Sequence, residues 1–182
     1  MTNKKEEKRL ARFQRREKRR EAAVRWMNFN TPPGYPWNST LKAAAWGGVF
    51  ALLWSLTYFV AYSDHYSWLF ITHNGKRIFS EDAVMSNFAD IVDGKLLGFV
   101  ILMIAALGLI GLHYTYHYQG SKSIYVMKRL PKKRELWRRC ITLPVILALI
   151  SGTAAAVLRV IFYVFYMIVT PETALPPGQW IW

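Results

Sequence analysis

Three long segments that carry almost no charge are the strongest constraint on how this 182-residue chain can fold. Residues 41–62 contain a single charged side chain, Lys42, at one end, and residues 96–118 contain none when histidine is neutral. Residues 140–169 contain only Arg159. A helix of ~20 apolar residues crosses a bilayer, and backbone groups in hydrocarbon must be paired within the segment. The pattern therefore predicts an all-α membrane protein with three transmembrane helices.

The remaining charged residues are concentrated between these segments, and their net sign alternates along the chain. Residues 1–40 carry a net charge of +7, residues 63–95 carry −2 and residues 119–139 carry +7. Because segments rich in Lys and Arg stay in the cytoplasm, we expect the N-terminus and the 119–139 loop inside. The 63–95 loop and the 170–182 tail are then outside, in a multi-pass protein of the cell inner (plasma) membrane. The apolar segments exclude a DNA-binding globule despite the total charge of +13, so nucleic acid is not an expected partner.

The N-terminal segment, residues 1–29, is basic and precedes a proline-rich stretch at 32–36 that should end any helix. We expect a helix that lies on the anionic lipid of the inner leaflet, with its few apolar side chains loosely on one face. These side chains are Leu10, Phe13, Val24 and Met27, with Trp26 and Phe29 near the end. For residues 1–20 a disordered basic tail is the alternative, because runs of Lys, Arg and Glu without apolar periodicity stay solvated.

The loop between the first two spans contains a turn signal. Asn74-Gly75 lies between two apolar runs, which is the pattern of a two-residue β-hairpin turn. We expect a short helix to follow, from about Glu81 to Val92. The loop should therefore form a small cap and not a separate domain.

The third apolar segment is longer than a bilayer requires and contains a cation. We expect residues 140–169 to form a helix that is strongly tilted or is broken near Ser151-Gly152 or Arg159. An intramembrane arginine costs several kcal/mol unless it faces protein or water, so Arg159 is a candidate contact for a substrate or a partner's carboxylate. Alternatively, if the helix starts at Cys140, Arg159 lies ~27 Å along it and reaches the outer headgroups.

Small residues spaced four apart occur in the first and third segments. They are Ala43, Ala44, Gly47 and Gly48, and Ser151, Gly152, Ala155 and Ala156. This spacing lets helices approach closely in a membrane, so it predicts packing, though not necessarily between copies of this chain.

The sequence contains no motif of a known catalytic site. The patterns Gly-x-x-x-x-Gly-Lys-Ser/Thr, Gly-x-Ser-x-Gly, His-Glu-x-x-His and Cys-x-x-Cys do not occur. We therefore predict that the chain is not an enzyme and holds no cofactor. His113 and His117 share a helical face at a spacing that a metal could use. The sequence indicates no third ligand for a metal, so no metal site is predicted. The neighbouring tyrosines favour the interpretation that both histidines are aromatic residues of the membrane interface.

The most informative segment is the 119–139 loop, where 8 basic residues are interleaved with apolar ones. We expect a short helix at 123–129, a break at Leu130-Pro131 and a second helix that enters the membrane. The apolar residues on this basic strip are Ile124, Met127, Leu130, Leu136 and Trp137. Apolar side chains exposed among cations predict docking on a cytosolic protein, and a purely solvated positive-inside loop is the alternative.

The order of these elements and the residues of this loop resemble the first half of ABC-2 type transporter permeases. The shared elements are a basic interfacial helix, two spans and a loop motif, from Gly120 to Glu135, that is followed by a third span. The matching positions are Gly120, Leu130, Pro131, Arg134 and Glu135. The resemblance covers residues 22–160. The family's usual Gly-Thr is Gly120-Ser121 here, and Gln119 stands where an acidic residue often precedes the glycine.

This resemblance implies a function for the loop. In the family the matching segment is the coupling helix, which sits in a cleft of an ABC-type ATPase subunit, so ATP is expected on a separate chain. The coupling residues implied here are Gly120, Ile124, Met127, Leu130, Pro131, Arg134, Glu135 and Leu136. A family permease has six spans, which implies that this chain pairs with another permease subunit or a second copy of itself. The alternative function is a non-transporting structural or assembly subunit of another membrane complex.

Overall fold

The computed structural model describes residues 2–32, 34–73, 76–80, 83–119 and 134–178. In this part of the chain the fold is all-α apart from one two-stranded antiparallel sheet. The helices are α1 Thr2–Asn30, α2 Trp37–Ser55, α3 Thr57–Ser67, α4 Phe88–Val92, α5 Leu97–Gln119 and α6 Arg134–Val169. The strands are β1 Phe70–His73 and β2 Lys76–Phe79, and a 3₁₀ turn spans Glu172–Ala174.

Among the described residues, three helical segments are long and apolar enough to cross a membrane. They are Trp37–Ser67, Leu97–Tyr116 and Trp137–Val169. The predicted all-α membrane fold with three transmembrane helices is thereby confirmed. The first segment is longer than the predicted 41–62, because its helix begins at Trp37 directly after Pro36 and continues through α3.

Helix α1 covers Thr2–Asn30 without a break. The predicted N-terminal helix is therefore confirmed, and the alternative of a disordered tail is not. It ends before the proline-rich stretch because Pro32 has no N–H to continue the helical bonds, and two side chains bond carbonyl groups of its last turn. Asn30 Nδ2 donates to the carbonyl of Trp26 at 2.9 Å, and Thr31 Oγ1 donates to that of Met27 at 2.8 Å. The Met27 carbonyl also accepts the backbone N–H of Thr31 at 2.9 Å, so the last turn of α1 has both backbone and side-chain bonds.

Leu56 separates α2 from α3 within the first apolar segment. Ser55 Oγ donates to the carbonyl of Leu52 at 2.7 Å, and Thr57 Oγ1 donates to that of Trp54 at 2.6 Å. Hydroxyl groups that bond a carbonyl one turn earlier compete with the backbone ladder and bend helices. The interruption is therefore local, and the apolar segment continues beyond it.

The third apolar segment lies in one helix, α6, which contains Pro144 in its first third. Of the two alternatives given for this segment, a break near Ser151-Gly152 or Arg159 is therefore wrong. Ser151 Oγ donates to the carbonyl of Phe99 at 3.0 Å, and a Cβ placed on Gly152 would lie 3.7 Å from Met103 Sδ. These small residues bring α6 against α5, and the helix continues through both positions.

The chain divides into two compact units. One consists of Met1–Thr40 and Leu107–Ile146, and the other of Leu41–Ala106 and Leu147–Trp182. The second unit contains a hydrophobic core that is mostly aromatic. Its buried members are Tyr58, Tyr62, Leu69, Met85, Phe88, Ile91, Val92, Phe162, Tyr166 and Ala174.

Within this core, α3 is joined to α6 by stacked rings and by hydroxyl groups. The rings of Tyr58 and Phe162 are stacked with centroids 4.3 Å apart. The Tyr58 hydroxyl also donates to the Phe162 carbonyl at 3.1 Å, and the hydroxyls of Tyr62 and Thr170 are 3.0 Å apart. Buried tyrosine hydroxyls need such partners, so the core has a defined register along α6.

In the same unit α2 packs closely on α5 through glycines. A Cβ built on Gly98 would lie 3.0 Å from both Cα and Cβ of Ala51, and one built on Gly47 would lie 2.6 Å from Leu102 Cδ2. A Cβ on Gly48 would meet no described atom within 4 Å. The predicted close packing is therefore confirmed at Gly47, while Gly48 faces open space.

The loop that follows α3 begins with the predicted hairpin. β1 and β2 pair antiparallel with Phe70 opposite Phe79, which confirms the hairpin. Its turn residues, Asn74-Gly75, lie outside the described residues. The register sets the two phenylalanine rings 6.0 Å apart, beside the aromatic core.

The predicted helix from Glu81 to Val92 is wrong over residues 83–87, because among the described residues of this stretch only those of α4 are helical. The backbone of these residues bonds the far end of the chain instead. The Met85 N–H donates to the Ala174 carbonyl at 2.8 Å, and the Tyr166 hydroxyl donates to the Ser86 carbonyl at 2.9 Å. Tertiary hydrogen bonds thus replace the helical ones.

Candidate functional site

Most of the predicted coupling loop lies outside the described residues. This applies to Gly120, Ile124, Met127, Leu130 and Pro131. Arg134, Glu135 and Leu136 form the first turn of α6. Of these three the side chain of Glu135 is described, and its carboxylate lies 3.0 Å from the Arg139 guanidinium. The described end of the loop is thus the start of the helix that continues as the third apolar segment.

The start of α6 contacts the end of α1 through two arginines. The guanidinium of Arg138 lies 4.2 Å from the ring centroid of Phe29, and that of Arg139 lies 5.7 Å from it. A cation over an aromatic face stabilises an exposed contact by ~0.5–1 kcal/mol. These contacts join the N-terminal helix to the helix that follows the loop.

Accessible aromatic rings surround this contact. The exposed fractions are 44% for Trp26, 53% for Phe29, 41% for Tyr114 and 59% for Trp137. Trp137 stacks on Tyr114 with ring centroids 6.4 Å apart. We call these four residues and Arg138 the aromatic collar. Aromatic and arginine side chains are enriched both in protein interfaces and at membrane boundaries, so the collar is a candidate binding surface.

His113 is fully buried, although the sequence pattern favoured an interfacial aromatic pair. Its Nδ1 lies 3.1 Å from the Cys140 carbonyl on α6, and the Tyr35 ring packs edge-on with centroids 4.3 Å apart. Tyr116, also on α5, donates its hydroxyl to the Gly34 carbonyl at 2.8 Å. His113 therefore connects α5 to α6, while the side chain of His117 lies outside the described part.

The relation between His113 and Pro144 is not apparent from the amino-acid sequence. Pro144 lies inside α6, four residues after Cys140, and has no N–H for the Cys140 carbonyl. A proline at that position in an apolar segment is a signal for an unpaired carbonyl. The histidine that bonds this carbonyl is on another helix, where no local pattern points to it.

Arg159 lies half-buried in the uninterrupted part of α6. Phe162, one turn later, is 2% exposed and belongs to the aromatic core. The helix ends at Val169, ~15 Å beyond Arg159 at ~1.5 Å per residue. Arg159 is thus positioned at the edge of a packed core, well inside an apolar helix.

Comparisons of the chain with protein-family models, with curated proteins and with solved structures find no match. The residues described also contain no group of three or more His, Cys, Asp or Glu side chains that could hold a metal ion. The described residues instead form connections between helices. One helix begins in the basic loop, continues as an apolar span, and is bonded to α1 by Arg138 and to α5 by His113.

Proposed function

We propose that this chain is the membrane subunit of an ATP-driven transporter of the ABC-2 type, and that a separate ATPase binds its 119–139 loop. The observation that supports this most directly is the continuity of α6, which begins at Arg134 inside the loop motif and ends at Val169. A displacement of the loop would be passed along such a helix into the membrane. Closure of the ATPases on nucleotide would then shift the spans between inward-open and outward-open packings.

The charge distribution supports a cytoplasmic loop, where an ATPase is available. The loop and the N-terminal region each carry +7, and the 63–95 loop carries −2. The side chains described along α1 are mostly exposed, so its basic residues are free to adsorb to anionic lipid of the same leaflet. In this arrangement the N-terminus is cytoplasmic and the C-terminus is outside the cell.

The residue types on the loop support docking in a protein cleft. Met127 and Leu130 would each stabilise the complex by ~1.5–3 kcal/mol if fully buried, whereas a rim charge such as Lys132 would contribute little. The aromatic collar lies at the base of the loop and extends the available surface. Trp137 and Arg138, both exposed, belong to residue types that are enriched in interfaces.

A translocation path requires more than the three candidate spans described here. We assign the missing part to another permease subunit or to a second copy of this chain. The spans expose large apolar side chains that suit both lipid and a partner helix, among them Trp46 (74%), Phe50 (66%) and Ile104 (62%). Association through such faces depends on close packing, since lipid tails are equally apolar.

Affinity purification from mild detergent tests the coupling assignment. Leu130→Asp and Met127→Asp should each lower the ratio of co-purifying ATPase to membrane subunit, because a buried carboxylate without a partner opposes docking. Lys132→Ala should leave the ratio near that of the native protein. Ile78→Asp is the matched control, since this 52%-exposed residue lies on the hairpin, far along the chain from the loop.

An unchanged ratio in both loop variants would contradict the coupling assignment. If no ATPase co-purifies with the native chain and other membrane proteins do, the chain is instead a structural or assembly subunit. A loop held to lipid only by its charge would show the reverse ranking, with a loss in Lys132→Ala and strong sensitivity to salt.

A further inference from the structure

The first third of α6 contains a gap in its backbone ladder. Pro144 lies inside the helix and has no N–H, so the carbonyl of Cys140, four residues earlier, loses its usual donor. A proline ring in a helix interior also clashes with the carbonyl four residues earlier. Helices kink at such positions.

A second feature weakens the same turn. Thr142 Oγ1 donates to the carbonyl of Arg138 at 2.6 Å, one turn earlier. Such bonds from a hydroxyl to the carbonyl four residues before it compete with the ladder and bend helices. Residues 138–144 therefore combine one missing backbone bond, at Pro144, with one competing hydroxyl bond, at Thr142.

A side chain from another helix fills the gap. His113 Nδ1 on α5 lies 3.1 Å from the Cys140 oxygen, and because a carbonyl can only accept, Nδ1 carries the hydrogen. The imidazole is 0% exposed. Its other nitrogen, Nε2, is buried without a hydrogen-bond partner among the residues the structure describes. The contact thus pairs the carbonyl but leaves one ring nitrogen unpaired, which opposes it.

We propose that α6 has a hinge at residues 140–144 and that His113 is the latch that holds it in the conformation seen here. In the latched conformation the histidine replaces the donor that Pro144 lacks. In the unlatched conformation the Cys140 carbonyl and both ring nitrogens bond to water, and α6 bends at Pro144. The hinge is a property of this chain alone and holds whatever partner binds the loop.

The native thiol of Cys140 reports on the latch. It is the chain's one cysteine, and its residue is 1% exposed. The purified full-length protein in detergent is treated with a small methanethiosulfonate reagent, and the rate of thiol modification is measured. His113→Leu and His113→Asn form a matched pair of similar shape, because asparagine places an N–H donor near the position of Nδ1.

His113→Leu should raise the rate of Cys140 modification about tenfold, as expected for loss of a hydrogen bond to a buried carbonyl. His113→Asn should stay within about threefold of the native rate. In a Pro144→Ala background, residue 144 regains its N–H and closes the ladder. There His113→Leu should change the rate by no more than about threefold.

An unchanged rate in His113→Leu would overturn the latch. So would an equal increase in His113→Leu and His113→Asn, or an increase that persists undiminished with Pro144→Ala. If His113→Leu alone does not accumulate, its recovery in the Pro144→Ala background supports the latch, and continued loss in that background counts against it.

Discussion

Replacing Gly98 by alanine should destabilise the protein, whereas the same change at Gly48 should not. The new methyl group at position 98 would lie 3.0 Å from Cα and Cβ of Ala51, and a backbone atom cannot rotate away from it. Helices α2 and α5 would have to separate slightly along their contact. Overpacking of this kind costs ~1–3 kcal/mol, and the better helix propensity of alanine offsets ~1 kcal/mol of that.

Gly47 provides an intermediate case in the same helix pair. Its methyl group would lie 2.6 Å from Leu102 Cδ2, which is the far end of a flexible side chain. Turning that side chain off its preferred rotamer costs ~0.5–1.5 kcal/mol, so the net effect of Gly47→Ala should be near zero. Gly48→Ala meets no described atom within 4 Å and should stabilise the helix by up to ~1 kcal/mol.

The assay is the free energy of unfolding in mixed micelles, measured by titration with a denaturing detergent and followed by far-ultraviolet circular dichroism. The expected order of stability is Gly48→Ala, then Gly47→Ala close to the native protein, then Gly98→Ala. Equal stability of Gly98→Ala and Gly48→Ala would refute the close approach of α2 to α5 at Ala51.

Two further predictions concern the proposed topology and Arg159. In a Cys140→Ser background, Val84→Cys, at a 62%-exposed position of the 63–95 loop, should react with an impermeant maleimide on intact cells. Arg20→Cys on α1 should react only after lysis, and the reverse pattern would exclude a cytoplasmic N-terminus. Arg159→Leu should insert normally but lower transport or recovery of partner subunits if the arginine faces protein or water. An arginine that only reaches headgroups should tolerate both Leu and Lys, so full activity in Arg159→Leu would remove it from the site.

The spans and the hairpin could be predicted because each depends on a local requirement. A bilayer demands a minimum apolar length, and charge-free runs of that length have few alternative structures. Asn74-Gly75 between apolar runs has a similarly narrow set of backbone choices. The break at Leu56 and the irregular 83–87 segment were not predicted, because they depend on side-chain and tertiary hydrogen bonds.

The candidate site was only partly predictable for the same reason. The loop motif is contiguous along the chain, so the amino-acid sequence alone is enough to name its residues. The His113–Cys140 bond joins residues 27 apart, on helices whose relative rotation the sequence does not specify. Pro144 indicates that a carbonyl lacks its donor, but only the packing of α5 on α6 shows which side chain replaces it.

The aromatic core also has a consequence for the order in which the chain is made. The hydroxyls of Tyr58 and Tyr62 find their partners at Phe162 and Thr170, which leave the ribosome 104 and 108 residues later. Until then the first span is in the membrane without the hydrogen-bond partners that these two hydroxyls have in the finished fold. During synthesis those hydroxyls need temporary partners, such as water or a membrane insertase, and α6 must arrive before the core can close. Closure of the aromatic core is therefore a late step in the synthesis of this protein, because it waits for the third span to be complete.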